Sequence, residues 1–243
     1  MMRCRSIVLA VALAAAPLAA SAQMQMSTPA PAATVAPAPT AAPAPSAQES
    51  QFLAKIMKDL PARYGTTQQA TAAGYFRYSN EDRTGAISWV NPTYWDTTDP
   101  DHPAQLWYDV NGRLLGADFS VPRAESSTGA PSRFGTSPSR WITLPAHVHF
   151  VVRNADGSYT YGRAVSANAY AQANDNSYSS PTAQGVVKVP ASRVTDPASI
   201  AHVFLYPSIY DLQVWVVPNP LGQFAGRNPN ITPSPRAGRG EDM

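Results

Sequence analysis

The run Pro145-Ala146-His147-Val148-His149-Phe150-Val151-Val152 sets two imidazoles one residue apart in a β-branched and aromatic stretch. Side chains alternate along a strand, so His147, His149, Val151 and Arg153 share one face while Ala146, Val148, Phe150 and Val152 share the other. Same-face neighbours on a strand lie about 7 Å apart, close enough for two imidazoles to converge on one metal ion. Zinc or copper is the expected metal, with His202 as third ligand and Asp211 or Gln213 as other candidates. A metal-dependent hydrolase would also keep one position open for water. Two other readings fit the same residues. The imidazoles can line a metal-free polar pocket as hydrogen-bond donors or bases, or they can be the solvated counterpart of an apolar face packed on helices.

Asn154-Ala155-Asp156-Gly157 then turns the chain into Ser158–Val165, a second strand of the same hairpin. A register with Arg153 opposite Ser158 sets His149 against Gly162 and His147 against Ala164. Those small neighbours would leave space above the imidazoles. Gln213 and Trp215, on the strand Asp211–Val217, join His147 and His149 as ligand-binding candidates if that strand lies near the hairpin.

Other chemistry is weaker. Asp96, Asp99 and Asp101 could offer oxygen ligands to calcium or a glycosidase carboxylate pair, yet the stretch lacks an EF-hand's central glycine and final glutamate, and Asp and Pro are ordinary turn formers. Trp89, Tyr94, Trp95, Trp107, Trp141 and Trp215, with Asn91, Asn219 and Asn228, have the composition of a glycan-binding surface, and of a packed core as well. No Gly-x-Ser-x-Gly elbow, phosphate loop, dinucleotide fingerprint or His-Glu-x-x-His occurs.

The elements that must position these residues begin after a basic start at Arg3 and Arg5, an apolar run Ile7–Ala20 and Ala20-Ser21-Ala22. This has the form of a secretory signal over residues 1–22, shorter than the about 20 apolar residues of a membrane span. The reading places the mature protein outside the cytoplasm, secreted or periplasmic, with no membrane span. The chain carries 18 basic and 16 acidic residues; loss of Arg3 and Arg5 brings the two level, so nothing favours a nucleic-acid partner. Cys4, the one cysteine, leaves with the signal, which removes thiolate chemistry and disulfides. Residues 23–47, with Pro29, Pro31, Pro37, Pro39, Pro43 and Pro45, read as a disordered Ala/Pro linker, and 228–243 as a disordered tail. One α+β domain over 48–227 lies between them.

Within that domain Phe52, Leu53, Ile56, Met57 and Leu60 recur at helical spacing from near Ser50 until Pro61, and a second helix starts at Thr67 and ends at Gly74. Short β-branched and aromatic runs follow, with Asn111-Gly112 as a hairpin signal between Leu106–Val110 and Arg113–Phe119. Val186–Val189 and His202–Leu205 read as further strands, and 123–140 and 168–184 as long loops. The expected fold class is α+β: two N-terminal helices packed on a largely antiparallel β-sheet, with long loops.

Two blocks carry a resemblance. One runs Ala62-Arg63-Tyr64, Ala73-Gly74-Tyr75, Val90-Asn91-Pro92 and Gln105-Leu106-Trp107-Tyr108; the other is Tyr210-Asp211-Leu212-Gln213-Val214-Trp215-Val216 with Asn219-Pro220-Leu221-Gly222-Gln223-Phe224-Ala225 and Asn228-Pro229-Asn230. In order and spacing they resemble a family of uncharacterised secreted bacterial proteins, a domain of unknown function. The resemblance implies histidines at the positions of Ser88 and Gln213, and a terminal cysteine, none of which this chain has. A site built on those histidines would be absent here, or rebuilt with His147 and His149.

The functional expectation is a secreted or periplasmic ligand-binding domain with its pocket on the His147/His149 face, for a small molecule or glycan. A metal-dependent hydrolase and a non-catalytic envelope-associated structural protein are the alternatives.

Overall fold

The computed structural model describes residues 40–124 and 126–238; the signal segment and most of the Ala/Pro linker lie outside them. Helix α1 (Ala47–Tyr64) begins earlier than the apolar spacing indicates, because Ser46 and Glu49 form a capping box. Ser46 Oγ accepts from the Glu49 amide at 3.2 Å and Glu49 Oε2 from the Ser46 amide at 2.8 Å. It also runs past Pro61 to Tyr64. Tyr64 is buried, donates its hydroxyl to Asp101 O at 3.0 Å and meets Tyr75 edge-on, contacts that hold the last turn against the proline penalty. Helix α2 (Thr67–Ala72) is capped by Thr66 in a second box with Gln69.

Strands β1 (Phe76–Glu81), β2 (Ile87–Val90), β3 (Gln105–Tyr108), β4 (Leu114–Pro122) and β5 (Trp141–Leu144) are followed by β6 (His147–Arg153), β7 (Tyr159–Ser166), β8 (Ile200–Tyr206) and β9 (Ile209–Trp215). They form a six-stranded sheet, β1-β2-β3-β4-β9-β5, and a three-stranded sheet, β7-β6-β8. Every pairing among the described strands is antiparallel. The chain is α+β, with two further helices, α3 (Ala167–Ala173) and α4 (Ala183–Val187), between β7 and β8. These replace the expected loop at 168–184 and the expected strand at Val186–Val189. Ser166 and Thr182 cap them, accepting the amides of Ala169 and Gly185.

The layers follow from alternation. Leu106, Ala117, Phe119, Leu212 and Val214 put one face of the large sheet against Phe52, Leu53, Ile56 and Leu60 of α1. The other face meets the small sheet through Tyr78, Val90, Val151, Phe204, Tyr206 and Ile209. On the far side of the small sheet Val148, Phe150 and Val165 pack on Tyr170 and Val186 of α3 and α4. The chain changes sheet between β5 and β6, at Pro145-Ala146, and between β8 and β9, at Pro207-Ser208.

Both expected tails are fastened where they are described. Ser234 donates to Glu81 through its amide, at 2.7 Å, and its hydroxyl, and the Gly238 amide donates to Glu81 O at 2.8 Å. The C-terminal stretch thereby covers β1, an edge strand with a buried carboxylate that needs donors. Arg140 Nη2 reaches the carbonyls of Pro43 and Ala44 at 2.9 and 3.2 Å. No helix among the described residues is long and apolar enough to cross a membrane.

Arg140 also makes the buried ion pair of the domain, Nε to Glu49 Oε1 at 3.0 Å and Nη2 to Oε2 at 3.2 Å. The guanidinium holds the Glu49 carboxyl down at about 2, against its burial. Breaking such a pair leaves a buried charge uncompensated, so Glu49→Gln is expected to cost about 3 kcal/mol in urea unfolding at pH 7. A lowered folded-state pKa stabilises above the unfolded value and ceases to do so as pH falls through the folded one. The gap between variant and wild type should therefore close between pH 4.5 and about 2.

Candidate functional site

The inner face of the large sheet is polar. Register aligns Gln105, Asp118 and Gln213 across β3, β4 and β9, and Ser88, Trp107, Gly116 and Trp215 across β2 to β9. Ser120 faces Asp211 across the β4–β9 pair. A side chain at Gly116 would run into the Trp107 ring and Val214 O; its absence lets Trp107 and Trp215 meet edge-to-face at 5.4 Å. Opposite stand His147 and His149 of β6 and Tyr206 of β8, with Tyr78 of β1 at the seam. Between them lies a cleft of about 440 Å³.

A hydrogen-bond chain spans the two sheets. The Tyr78 hydroxyl donates to Gln105 Oε1, and Gln105 Nε2 donates to the Tyr206 hydroxyl at 2.9 Å. Two carboxyls lie beside it. Trp107 Nε1 donates to Asp118 Oδ2 at 2.9 Å and Ser120 Oγ to Asp211 Oδ1 at 2.7 Å. Asp118 Oδ1 and Asp211 Oδ2 are buried without a partner. Burial pushes both carboxyls above the ordinary range, and the Asp211 charge raises Asp118 further. The two carboxyls therefore hold protons more tightly than exposed aspartates do.

His149 is buried and His147 half-buried. His149 is 7% exposed, lies along Phe204 at 5.4 Å and takes the edge of Tyr78 at 4.7 Å; His147 stacks on Tyr206 at 4.4 Å. Their Nε2 atoms are 2.9 Å apart, while His147 Nδ1 is 2.8 Å from Pro145 O and His149 Nδ1 3.3 Å from Arg163 O. Burial lowers both below the usual imidazole value, His149 to about 3 with help from His147. Both rings are neutral at pH 7.

The hairpin register differs from the expected one. His147 opposes Ser166, His149 opposes Ala164 and Arg153 opposes Tyr159. A two-residue slip keeps Gly162 and Ala164 on the histidine side of β7, and a bulge at Tyr161-Gly162 reduces it to one residue before the turn. Gly162 takes φ +73° there, a conformation that favours glycine.

His202 does not join the expected metal group. It pairs with Val151 in register and stacks on Phe76 at 4.7 Å, whereas His149 pairs with Phe204 and lies along its ring. Among the described residues no three His, Cys, Asp or Glu side chains form a metal-holding group. Gln213, Trp215 and Ser88 do line one cleft with His147 and His149, across the sheets.

No family model matches the chain, and no curated protein or solved structure does. The chemistry of the site therefore rests on its own geometry.

The remaining candidates are structural. Asp101 pairs with Lys55 and Arg63 at 2.7 and 3.0 Å, Asp96 with Arg133 at 2.8 Å and Asp99 with His102 at 2.9 Å, which uses the carboxylates assigned to calcium. Asn91, Asn219 and Asn228 each accept the amide two residues on, and each donates to a carbonyl, of Ala73, Arg227 and Pro218. Those amides hold Asn-Pro turns and are not free for a glycan.

Asp118 and Gln105 were missed as site residues. Their signal is alternation: Gln105-Leu106-Trp107, Ala117-Asp118-Phe119-Ser120 and Asp211-Leu212-Gln213 put polar groups at every second position of central strands.

Asp118 carries a pH test. A carboxyl with a raised folded-state pKa stabilises below its unfolded value and loses that contribution as pH climbs through the folded one. Asp118→Asn keeps an acceptor for Trp107 and removes the titration. Its melting temperature relative to wild type should rise between pH 4 and pH 8. Each tenfold difference in proton affinity between folded and unfolded chain is worth about 1.4 kcal/mol, so the rise should reach about 3 °C or more.

Proposed function

We propose that this is a secreted or periplasmic ligand-binding protein whose cleft between the sheets takes a small neutral or cationic molecule rich in hydroxyl or amino groups. The observation that carries the reading is Asp118 Oδ1, an unpartnered buried carboxyl oxygen on a residue of the cleft wall. A buried polar atom without a partner costs about 1–3 kcal/mol, and a ligand donor or acceptor at that atom recovers it. The export signal supports the location.

Three features favour this ligand class. Among the described residues no Lys or Arg lines the cleft, while Asp82 and Asp118 do, which disfavours an anion. Trp107, Trp215 and Tyr206 supply flat faces beside the amides of Gln105 and Gln213. The volume of about 440 Å³ falls within the range of small-molecule pockets, about 300–1,000 Å³, and suits a single sugar ring. The burial of His149 and the stacking of half-buried His147 on Tyr206 also argue against a purely structural envelope role, which calls for solvated histidines.

Thermal shift and titration calorimetry with glucose, glucosamine and gluconate test this. Glucose or glucosamine should raise the melting temperature and gluconate should not, with Asp118→Ala weakening binding at least about tenfold. Binding that prefers gluconate, or that ignores Asp118, overturns the reading, as does failure of all three.

A further inference from the structure

The paired imidazoles leave a bonding conflict that no arrangement of their two ring protons resolves. Pro145 O and Arg163 O only accept, so each calls for a proton on the facing Nδ1. Meeting both leaves two bare Nε2 lone pairs opposed at 2.9 Å. Moving the His149 proton to Nε2 mends that contact and turns its Nδ1 lone pair onto the Arg163 carbonyl oxygen. One cation shared between the two Nε2 atoms satisfies all three contacts.

The spacing selects among metals. Two nitrogens 2.9 Å apart, each about 2.0–2.1 Å from a common ion, subtend about 90° there. Tetrahedral zinc would hold them about 3.3–3.4 Å apart. The right angle is the cis angle of a square-planar or tetragonal ion, Cu(II) or Ni(II), and copper stands highest in the affinity order for such sites.

The support is of the kind that metal-binding imidazoles use. A carbonyl at each Nδ1 fixes the tautomer and aims Nε2. Tyr206 and Phe204 clamp the two rings, whose centroids are 4.6 Å apart at 68°. No third His, Cys, Asp or Glu completes a group among the described residues, and both histidines line the cleft.

We propose that His147 and His149 form a cis bis-imidazole site for one divalent copper ion, whose remaining coordination positions open on the cleft. This goes beyond the binding reading, which needs no metal. Cu(II) held there would present itself to water or to an amino or hydroxyl group of a molecule in the cleft.

The test uses the purified chain, stripped with a chelator and dialysed against Cu(II) with excess glycine as competitor. Copper content is read by mass spectrometry and coordination by electron paramagnetic resonance. The expected result is one retained copper with an axial spectrum split by two nitrogens. His147→Gln and His149→Gln should each weaken retention by about tenfold or more, and the double variant His102→Gln/His202→Gln should not. Circular dichroism identifies folded variants; if His149→Gln, in the more buried position, does not fold, His147→Gln decides. Substoichiometric copper, retention unchanged in His147→Gln, or loss in the His102/His202 variant overturns the site. Sugar binding by the stripped protein is measured separately, so either idea can fail alone.

Discussion

Gln105 is the pivot between the two sheets. Its amide is 1% exposed and uses both ends, accepting from Tyr78 of the large sheet and donating to Tyr206 of the small one. A buried amide with either partner missing carries the desolvation cost of the orphaned atom. The bond chain therefore fixes how the sheets approach, and Tyr206 in turn carries His147 on its ring face. Asp118 lies next to Gln105 in register, so the carboxyl pair and the imidazole pair are set relative to the same three side chains.

Much of the fold was legible because the rules that produce it are local. Helical spacing located α1 and α2, and Asn111-Gly112 and Asp156-Gly157 located hairpins. Alternation along β6 separated Val148, Phe150 and Val152 from the histidines; that the apolar face meets two further helices, α3 and α4, was not foreseen. The boundaries that failed were decided by side-chain caps and tertiary anchors. Ser46 with Glu49 starts α1 early, Tyr64 on Asp101 carries it past Pro61, and Thr182 turns a Val-rich run into a helix.

The site was half legible for a related reason. His147 and His149 stand out because histidine is rare here, but Asp118 and Gln105 lie among apolar neighbours and gain meaning only from what faces them. Strand order decides that. β9 sits between β4 and β5 while β8, the strand before it, belongs to the other sheet. No local pattern encodes this crossing, which brings Asp211 and Gln213 opposite Tyr206 and the histidines. Two prolines, Pro145 and Pro207, lie at the two sheet changes, where a missing amide donor is tolerated.

Why the space between the sheets is solid at one end and hollow at the other follows from residue size. Towards the solid end Phe76, Val90, Trp95, Val151, Phe204 and Ile209 fill it. At the hollow end the wall is built from Ser88, Gly162, Ala225 and Gly226, with Gly116 below the two tryptophans. Asp118 and Asp211 are already buried with one oxygen each unpaired, and apolar filling there would take away the polar surroundings that remain, at further cost. With the cleft open, Asp118 lies instead in the wall of a space that water or a ligand can enter. The polar inner face and the small-residue wall are thus one arrangement: each makes the other tolerable, and together they leave a polar, aromatic-lined space where a continuous core would otherwise be.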